Sequence, residues 1–364
     1  MKSLAAIGMT LSAFALIAAE IPADPPPGPV KLTGGVVSFG ERVEILSDPE
    51  DLNFVSALRS SDGVIYLNHS IGLHGVRERG GTMLSRDNGQ SWIKPDHSIP
   101  GFGSFERKDG ILCRIDGWDP NMTREHTLKM MIWNQARDRV EREVKIPVVL
   151  PFEAGFQRHG QVTRLSDGRL VTAVYGREKG KTKFTAYVIA SEDDGNSWQY
   201  LSTVFPAEIP YGTKEGPCEM NVVELKNGDL LAIARTGDIE HGRENQPLIQ
   251  ARSTDGGKSW SKAEVIDEFG VSPQATTLAD GTLVIVSGRP GVYLLVDFSG
   301  TGRKYEKVWI FKAPNKYQCS AYCAIPRIAD DTLLLCYDIS SFSNHNPQRQ
   351  TNHIFALPVT FSRK

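Results

Sequence analysis

The sequence predicts an all-β fold, a single six-bladed β-propeller running from about residue 35 to the C-terminus, and two repeated patterns with one spacing carry that prediction. The first pattern is Ser-x-Asp-x-Gly-x-x-Trp. It occurs three times, as SRDNGQSW (Ser85 to Trp92), SEDDGNSW (Ser191 to Trp198) and STDGGKSW (Ser253 to Trp260). In each copy the Asp can accept from turn amides, the Gly can take the φ > 0 position of a tight hairpin, and the Trp can wedge between neighbouring sheets. These are folding elements, not catalysts.

The second pattern is a turn followed by an apolar strand, and it counts the units. It reads SSDG then VIYLNHS, RKDG then ILCRIDG, LSDG then RLVTAVYG, LKNG then DLLAIART, LADG then TLVIVSGR, and IADD then TLLLCYDIS. The turn residues Asp62, Asp109, Asp167, Asn227, Asp280 and Asp330 lie 47, 58, 60, 53 and 50 residues apart, which is the spacing of propeller blades. Strands such as NFVSALRS, GQVTRLS, NVVELK and QATTLA precede the turns, so each unit opens with a hairpin. The Ser-to-Trp motifs fall in the second halves of units one, three and four. Unit two, near WNQARDRV, and unit five, near VDFSGTGRKYEK, have lost theirs. A strand from GVVSFGERVEILS is expected to close the last unit, and helix should be scarce.

With 40% hydrophobic and 23% charged residues the chain can bury a large core, and its net charge of -2 and lack of any basic run argue against nucleic acid as a partner. At the N-terminus, Lys2 precedes the apolar run LAAIGMTLSAFALIAA, which ends in small residues at Ala18 and Ala19. That run reads as a signal peptide over residues 1–19 and is short for a span, so export to the periplasm or the medium is expected, with no membrane contact beyond it. Residues 20–34 read as a Pro-rich spacer and 35–364 as the propeller domain. Five cysteines, Cys113, Cys218, Cys319, Cys323 and Cys336, cannot all pair. Burial as small apolar residues is the favoured reading, with one disulfide from Cys218 to Cys319 or Cys323 as the alternative. No spacing suggests zinc, and no cofactor is expected. The protein is expected to act as a monomer.

In a propeller the starts of the first strands and the ends of the second strands share one face around the axis. Those positions hold Phe54 and His69, then Arg114 and Asp116, then His159, Tyr175 and Arg177, then Glu219 and Arg235, then Gln274 and Arg289, and lastly Tyr322, Tyr337 and Asp338. Such a polar rim of mixed charge reads as a catalytic or ligand-binding cup.

These motifs and the six-unit organisation resemble the sialidase (neuraminidase) family over most of the chain. EMNVVELKNGDLLAIAR, from Glu219 to Arg235, is similar to the segment supplying that family's glutamate and a substrate-binding arginine. SAYCAIPRIADDTLLLCYD resembles the segment with its catalytic tyrosine, here Tyr322, and Arg289 sits where its last carboxylate-binding arginine is expected. The resemblance implies a secreted exo-glycosidase acting on a terminal acidic sugar of a glycan or oligosaccharide. Tyr322 would attack, Glu219 would take its proton, and Arg235 with Arg289 would hold the acid group. The chemistry suits the residue types: sialic acid carries a carboxylate on its anomeric carbon, which repels a carboxylate nucleophile, and sialidases use a tyrosine instead. His69, Arg114, Asp116, His159, Arg177 and Asp338 complete the expected substrate-binding set.

Two departures mark the first unit. Phe54 stands at the family's arginine position, and HSIGLHGVRERG contains no aspartate to serve as general acid. His69, His74 and Glu78 are the local candidates for that acid, and Arg77, Arg79, Arg114 or Arg177 for the lost arginine. Two other readings stay open: a non-catalytic glycan-binding propeller, and a hydrolase or lyase for another acidic sugar, such as a uronate, using His69 or His159 as base.

Overall fold

The computed structural model describes residues 25–73, 75, 78–97, 99–211, 215–237, 247–313, 319–340 and 351–364. The expected signal peptide, His74 and Arg77 lie outside the described residues. Within them the fold is all-β, with no helix. Five antiparallel sheets follow one another along the chain.

The first sheet comprises Leu52–Arg59, Ile65–Ile71 and Arg79–Ser85. A seven-stranded sheet follows, from Ser104–Glu106 through Leu112–Asp116, Trp118–Trp133, Val140–Arg164, Leu170–Arg177 and Phe184–Ser191 to Gln199–Phe205. Units two and three are therefore fused rather than separate. The 25-residue strand Val140–Arg164 runs from the outer edge of one into the inner edge of the other. Its first half alternates between exposed and buried side chains, and register shifts between Val149 and Phe156 redirect it onto Leu170–Arg177. Pro147 is tolerated because that half pairs with only one neighbour.

Two four-stranded sheets come next, Cys218–Glu224 to Glu264–Asp267 and Gln274–Thr277 to Glu306–Phe311. The last sheet mixes the two ends of the chain. Asn352–Arg363 pairs with Thr332–Ile339 on one side and with Gly35–Phe39 and Val43–Asp48 on the other, as GVVSFGERVEILS was expected to do.

Polar contacts tie the sheets to their neighbours in chain order. Ser61 N donates to Glu106 Oε2 (2.6 Å), Ser166 N to Glu224 Oε2 (2.7 Å), Ala275 N to Asn221 Oδ1 (3.2 Å) and Ala279 N to Asp330 O (3.0 Å). Phe54 N then donates to Ser320 Oγ (3.2 Å), tying the last sheet back to the first.

The three Ser-x-Asp-x-Gly-x-x-Trp turns share one geometry. The backbone amides of Ser91, Ser197 and Ser259 donate to Asp87, Asp193 and Asp255 at 2.9, 2.8 and 2.9 Å, and the opening serines donate to the same carboxylates. Two successive left-handed residues make each turn: Asn88 and Gly89, Asp194 and Gly195, Gly256 and Gly257. Trp198 is buried against Phe105 of the preceding unit, and Trp260 Nε1 reaches Ser202 Oγ of its preceding unit at 2.8 Å. The degenerate copies keep a turn with other side chains. Asn134 and Asp138 bond each other in unit two, and Asp297 accepts from the Ser299 and Gly302 amides in unit five. All five cysteines are free and buried, so the Cys218 disulfide is not formed.

Candidate active site

One backbone device recurs where each unit begins. A residue with positive φ stands at or beside the start of the innermost strand: Phe54 (φ 55), Gly103 (83), Gly160 (78), Glu219 (47), Ser272 (39) and Ala321 (60). Four of these six carry a side chain, for which that conformation is costly, so packing around them must hold it. Where the strand is already paired, the register breaks at the same place, between Asn53 and Ser56, His159 and Val162, and Cys218 and Asn221. Each bulge lifts a side chain out of the ladder.

Those side chains meet. The Tyr322 hydroxyl donates to Glu219 Oε1. Arg235 Nη1 lies 3.2 Å from the same carboxylate oxygen, and its Nη2 forks onto both oxygens of Glu215 at 2.9 Å. Arg289 donates from Nη2 to Ser320 O at 2.7 Å. Phe54 stands edge-on to Tyr322, with ring centroids 4.6 Å apart, and the His159 ring lies 6.2 Å from Tyr322 on another side. Glu219, Arg235, His159 and Arg289 are all buried, and Tyr322 half-buried.

Burial is the largest influence on the Glu219 carboxyl and would raise it, but Arg235, His159, the Tyr322 hydrogen bond and Arg289 together outweigh it and hold the group below the ordinary carboxylate value. Tyr322 moves the other way: burial and the adjacent Glu219 charge push its phenol well up. The shared proton therefore rests on Tyr322 oxygen, with Glu219 ionised and ready to receive it. His159 is held down at about 4 by burial and is neutral at ordinary pH, and its Nδ1 has no hydrogen-bond partner among the described residues.

The remaining expected residues divide. Asp338 is not in the cup. It is fully buried behind it, accepting from Ser320 N (2.7 Å), Ser320 Oγ and Ser340 Oγ (2.6 Å). Ser320 Oγ in turn accepts from the Phe54 and Tyr322 amides, both at 3.2 Å, so Asp338 positions the site rather than touching a ligand. The alternation of the strand Thr332–Ile339 hid this, because register alone does not tell a cup position from one facing the next sheet. His69 is buried against Gly81, where an added Cβ would lie 2.2 Å from the ring. Arg114 is paired to Asp116 (2.7 Å), Arg79 to Glu50 (2.7 Å), and Arg177 rests on the Phe184 ring at 4.5 Å. Gln274 is buried and accepts from Asn221. Sequence reasoning missed Glu215 and Ser320. Neither lies in a repeated pattern, and their roles come from loops folded against the cup. Among the described residues no cluster of His, Cys, Asp or Glu could hold a metal ion.

Residues 129–333 match the BNR repeat-like domain family. The chain belongs to the sialidase/BNR-repeat family. This BNR-repeat protein is 33% identical to a sialidase of Vibrio cholerae serotype O1 over 117 residues, which is 30% of this chain and 15% of that sialidase's length. Its fold is similar to a protein of unknown function from Dyadobacter fermentans (TM-score 0.67, 17% identity, covering 90% of this chain and 100% of the other). It also resembles a Hadza microbial sialidase (0.63, 15%, covering 86% and 66%) and an α-L-arabinanase of Penicillium chrysogenum (0.59, 15%, covering 89% and 98%).

Proposed function

We propose that this BNR-repeat protein is a retaining glycoside hydrolase of sialidase type, releasing a terminal acidic sugar, sialic acid or a relative, from a glycan. Its six units would form the blades of one propeller, a reading supported by sheet-to-sheet bonds in chain order and by the bond from Phe54 back to Ser320. Export through residues 1–19 would place it where glycans are met.

The observation that carries the reading is the Tyr322 hydroxyl seated on the Glu219 carboxylate beside Arg235 and Arg289. A binding surface has no need of a phenol hydrogen-bonded to its own base, which counts against the lectin alternative. In the first step Tyr322 oxygen would attack the anomeric carbon while its proton passes to Glu219. The bond to the aglycone oxygen breaks, and that oxygen takes up a proton from solvent. In the second step water displaces the tyrosine, and Glu219 returns the proton to the phenolate as the water's own proton leaves to solvent, restoring the enzyme.

Two observations favour a sugar other than ordinary sialic acid. Phe54 presents a ring edge where the family has an arginine, and Arg235 is already forked by Glu215. Arg235 and Arg289 thus face Glu215 and Glu219, leaving little net positive charge for a substrate carboxylate. A uronate carries its carboxylate on C5 and not on the anomeric carbon, so its acid group need not lie between those two arginines, and a uronate-directed hydrolase fits that arrangement. The test is a screen of sugars released from sialylated, uronate-bearing and arabinan oligosaccharides. Release of an acidic sugar that vanishes in Tyr322→Phe supports the reading; release of arabinose alone, no release from any of them, or full turnover by the variant sinks it.

A further inference from the structure

Positive charge is left over between units two and three. Arg158, on the strand Val140–Arg164, is buried and has no ion pair among the described residues. Its Nη1 donates to Gly160 O at 2.7 Å and its guanidinium lies over the Phe102 ring at 4.8 Å, but its Nε has no acceptor among the described residues. The buried Nε of Arg114, on the strand Leu112–Asp116, is in the same state. The two arginines share one carboxylate: Asp116 lies 2.7 Å from Arg114 Nη2, and its charge also acts on Arg158. Burial pulls the Arg158 guanidinium down to about 10, with Asp116 opposing that fall and Arg114 adding to it. A buried cation with orphaned donors and no anion of its own is costly, so a counter-ion is the expected partner.

The pair of arginines borders the cup. Residues 101–104 line, together with Tyr322, one small cavity of about 30 Å³, and both guanidiniums press on that segment. A Cβ on Gly101 would lie 3.1 Å from Arg114 Nη1, and one on Gly103 would lie 2.6 Å from Arg158 Nη2, so the arginines fill the space that side chains would need. Phe102, between the two glycines, meets the His159 ring at 5.0 Å, and His159 meets Tyr322 at 6.2 Å. Two rings therefore lie between the arginines and the proposed nucleophile. The side chains of Arg114 and Asp116 are 33% and 38% exposed, which leaves the cluster open to solvent on that side.

We propose that Arg114 and Arg158 are the seat of the substrate's acid group, the C5 carboxylate of a terminal uronic acid whose anomeric carbon faces Tyr322. The inference rests on the reading of the cup as the place of glycosidic cleavage, and it names the sugar class. A uronate keeps its acid group away from the anomeric carbon, so its nucleophile and its acid seat must stand apart, as Tyr322 and this pair do. Sialic acid would need its arginines against Tyr322, where Phe54 stands and where Glu215 already holds Arg235. A bound carboxylate would bring the cluster to two cations and two anions, and its oxygens would accept from guanidinium donors that now have no partner. A neutral sugar supplies no such charge.

Titration calorimetry on the Tyr322→Phe protein, which removes turnover, tests the proposal. The probes are the methyl glycosides of glucuronic and galacturonic acid, the uronamide of each, and the methyl glycoside of sialic acid. At least one uronate should bind about tenfold or more tighter than its uronamide, because the carboxylate carries the charge that the arginines lack. Adding Arg114→Gln should bring the two within about twofold of each other, and Arg158→Met should do the same. Arg114 is partly exposed, so its variant should fold, and thermal unfolding checks that both variants do. Equal affinity for uronate and uronamide, a preference that survives Arg114→Gln in folded protein, or binding of the sialoside alone overturns the seat. Failure of the cleavage reading looks different: wild-type protein then releases no sugar from uronate-bearing oligosaccharides while the Arg114-dependent preference persists.

Discussion

Phe54 and Tyr322, 268 positions apart in the chain, meet edge to face with ring centroids 4.6 Å apart, and their amides end on one oxygen, Ser320 Oγ. The contact fixes the tilt of the proposed nucleophile from the side where the family has an arginine. It also makes the apolar wall and the reacting phenol parts of one unit, so a change at either position should be read at the other.

Replacing Phe54 by arginine should raise kcat/KM on an aryl sialoside by about tenfold or more, since one charge-assisted bond contributes ~1.5–3 kcal/mol. The backbone there already carries a side chain at φ 55, so no new strain is introduced. Steady-state kinetics on the pure variant decide it. An unchanged or lower value in a folded variant would mean that the apolar wall is not what limits this substrate.

Asp338→Ala should destabilise the protein by ~2–4 kcal/mol, because three hydrogen bonds from Ser320 and Ser340 lose their buried acceptor. Turnover per folded molecule should fall as well, as Ser320 orients both Phe54 and Tyr322. Denaturant unfolding and active-site titration separate the two effects. A variant as stable as wild type contradicts the buried-support role.

Asp193→Ala removes the acceptor of the Ser197 amide and of two serine hydroxyls in a turn remote from the cup. A loss of ~1–3 kcal/mol in stability with unchanged specific activity is expected. Impaired catalysis at full stability would show that the turn reaches the site.

Acid should unfold the protein through two buried histidines. Burial holds His69 and His159 near 4, whereas an unfolded histidine titrates near 6.5. Above pH ~6.5 neither state is protonated and the contribution is fully present. As pH falls from ~6.5 toward ~4 the unfolded chain takes up protons that the folded one refuses, and up to ~3 kcal/mol is lost per histidine. Asp338, its carboxyl raised by burial, acts with the opposite sign, so the informative comparison is wild type against His159→Phe. Denaturation midpoints at pH 7, 5.5 and 4.5 should fall less steeply in the variant. Parallel curves would show that His159 is not the titrating group.

Local physics made much of this molecule readable from its residues. Turn chemistry is short-range, so the three Ser-x-Asp-x-Gly-x-x-Trp motifs and the glycines after Asp62, Asp109 and Asp167 announce hairpins without knowledge of the fold. Their spacing counted six units, and resemblance placed Glu219, Arg235, Arg289 and Tyr322 together. What tertiary structure alone decided depends on contacts between distant segments. The fusion of units two and three follows from where the strand Val140–Arg164 breaks register, and no local preference specifies that point. Asp338 lies behind the cup, and Glu215 engages Arg235, because side chains from different sheets compete for the same buried space. The left-handed Phe54, Glu219, Ser272 and Ala321 run against their own backbone preferences, and only surrounding packing can hold them there.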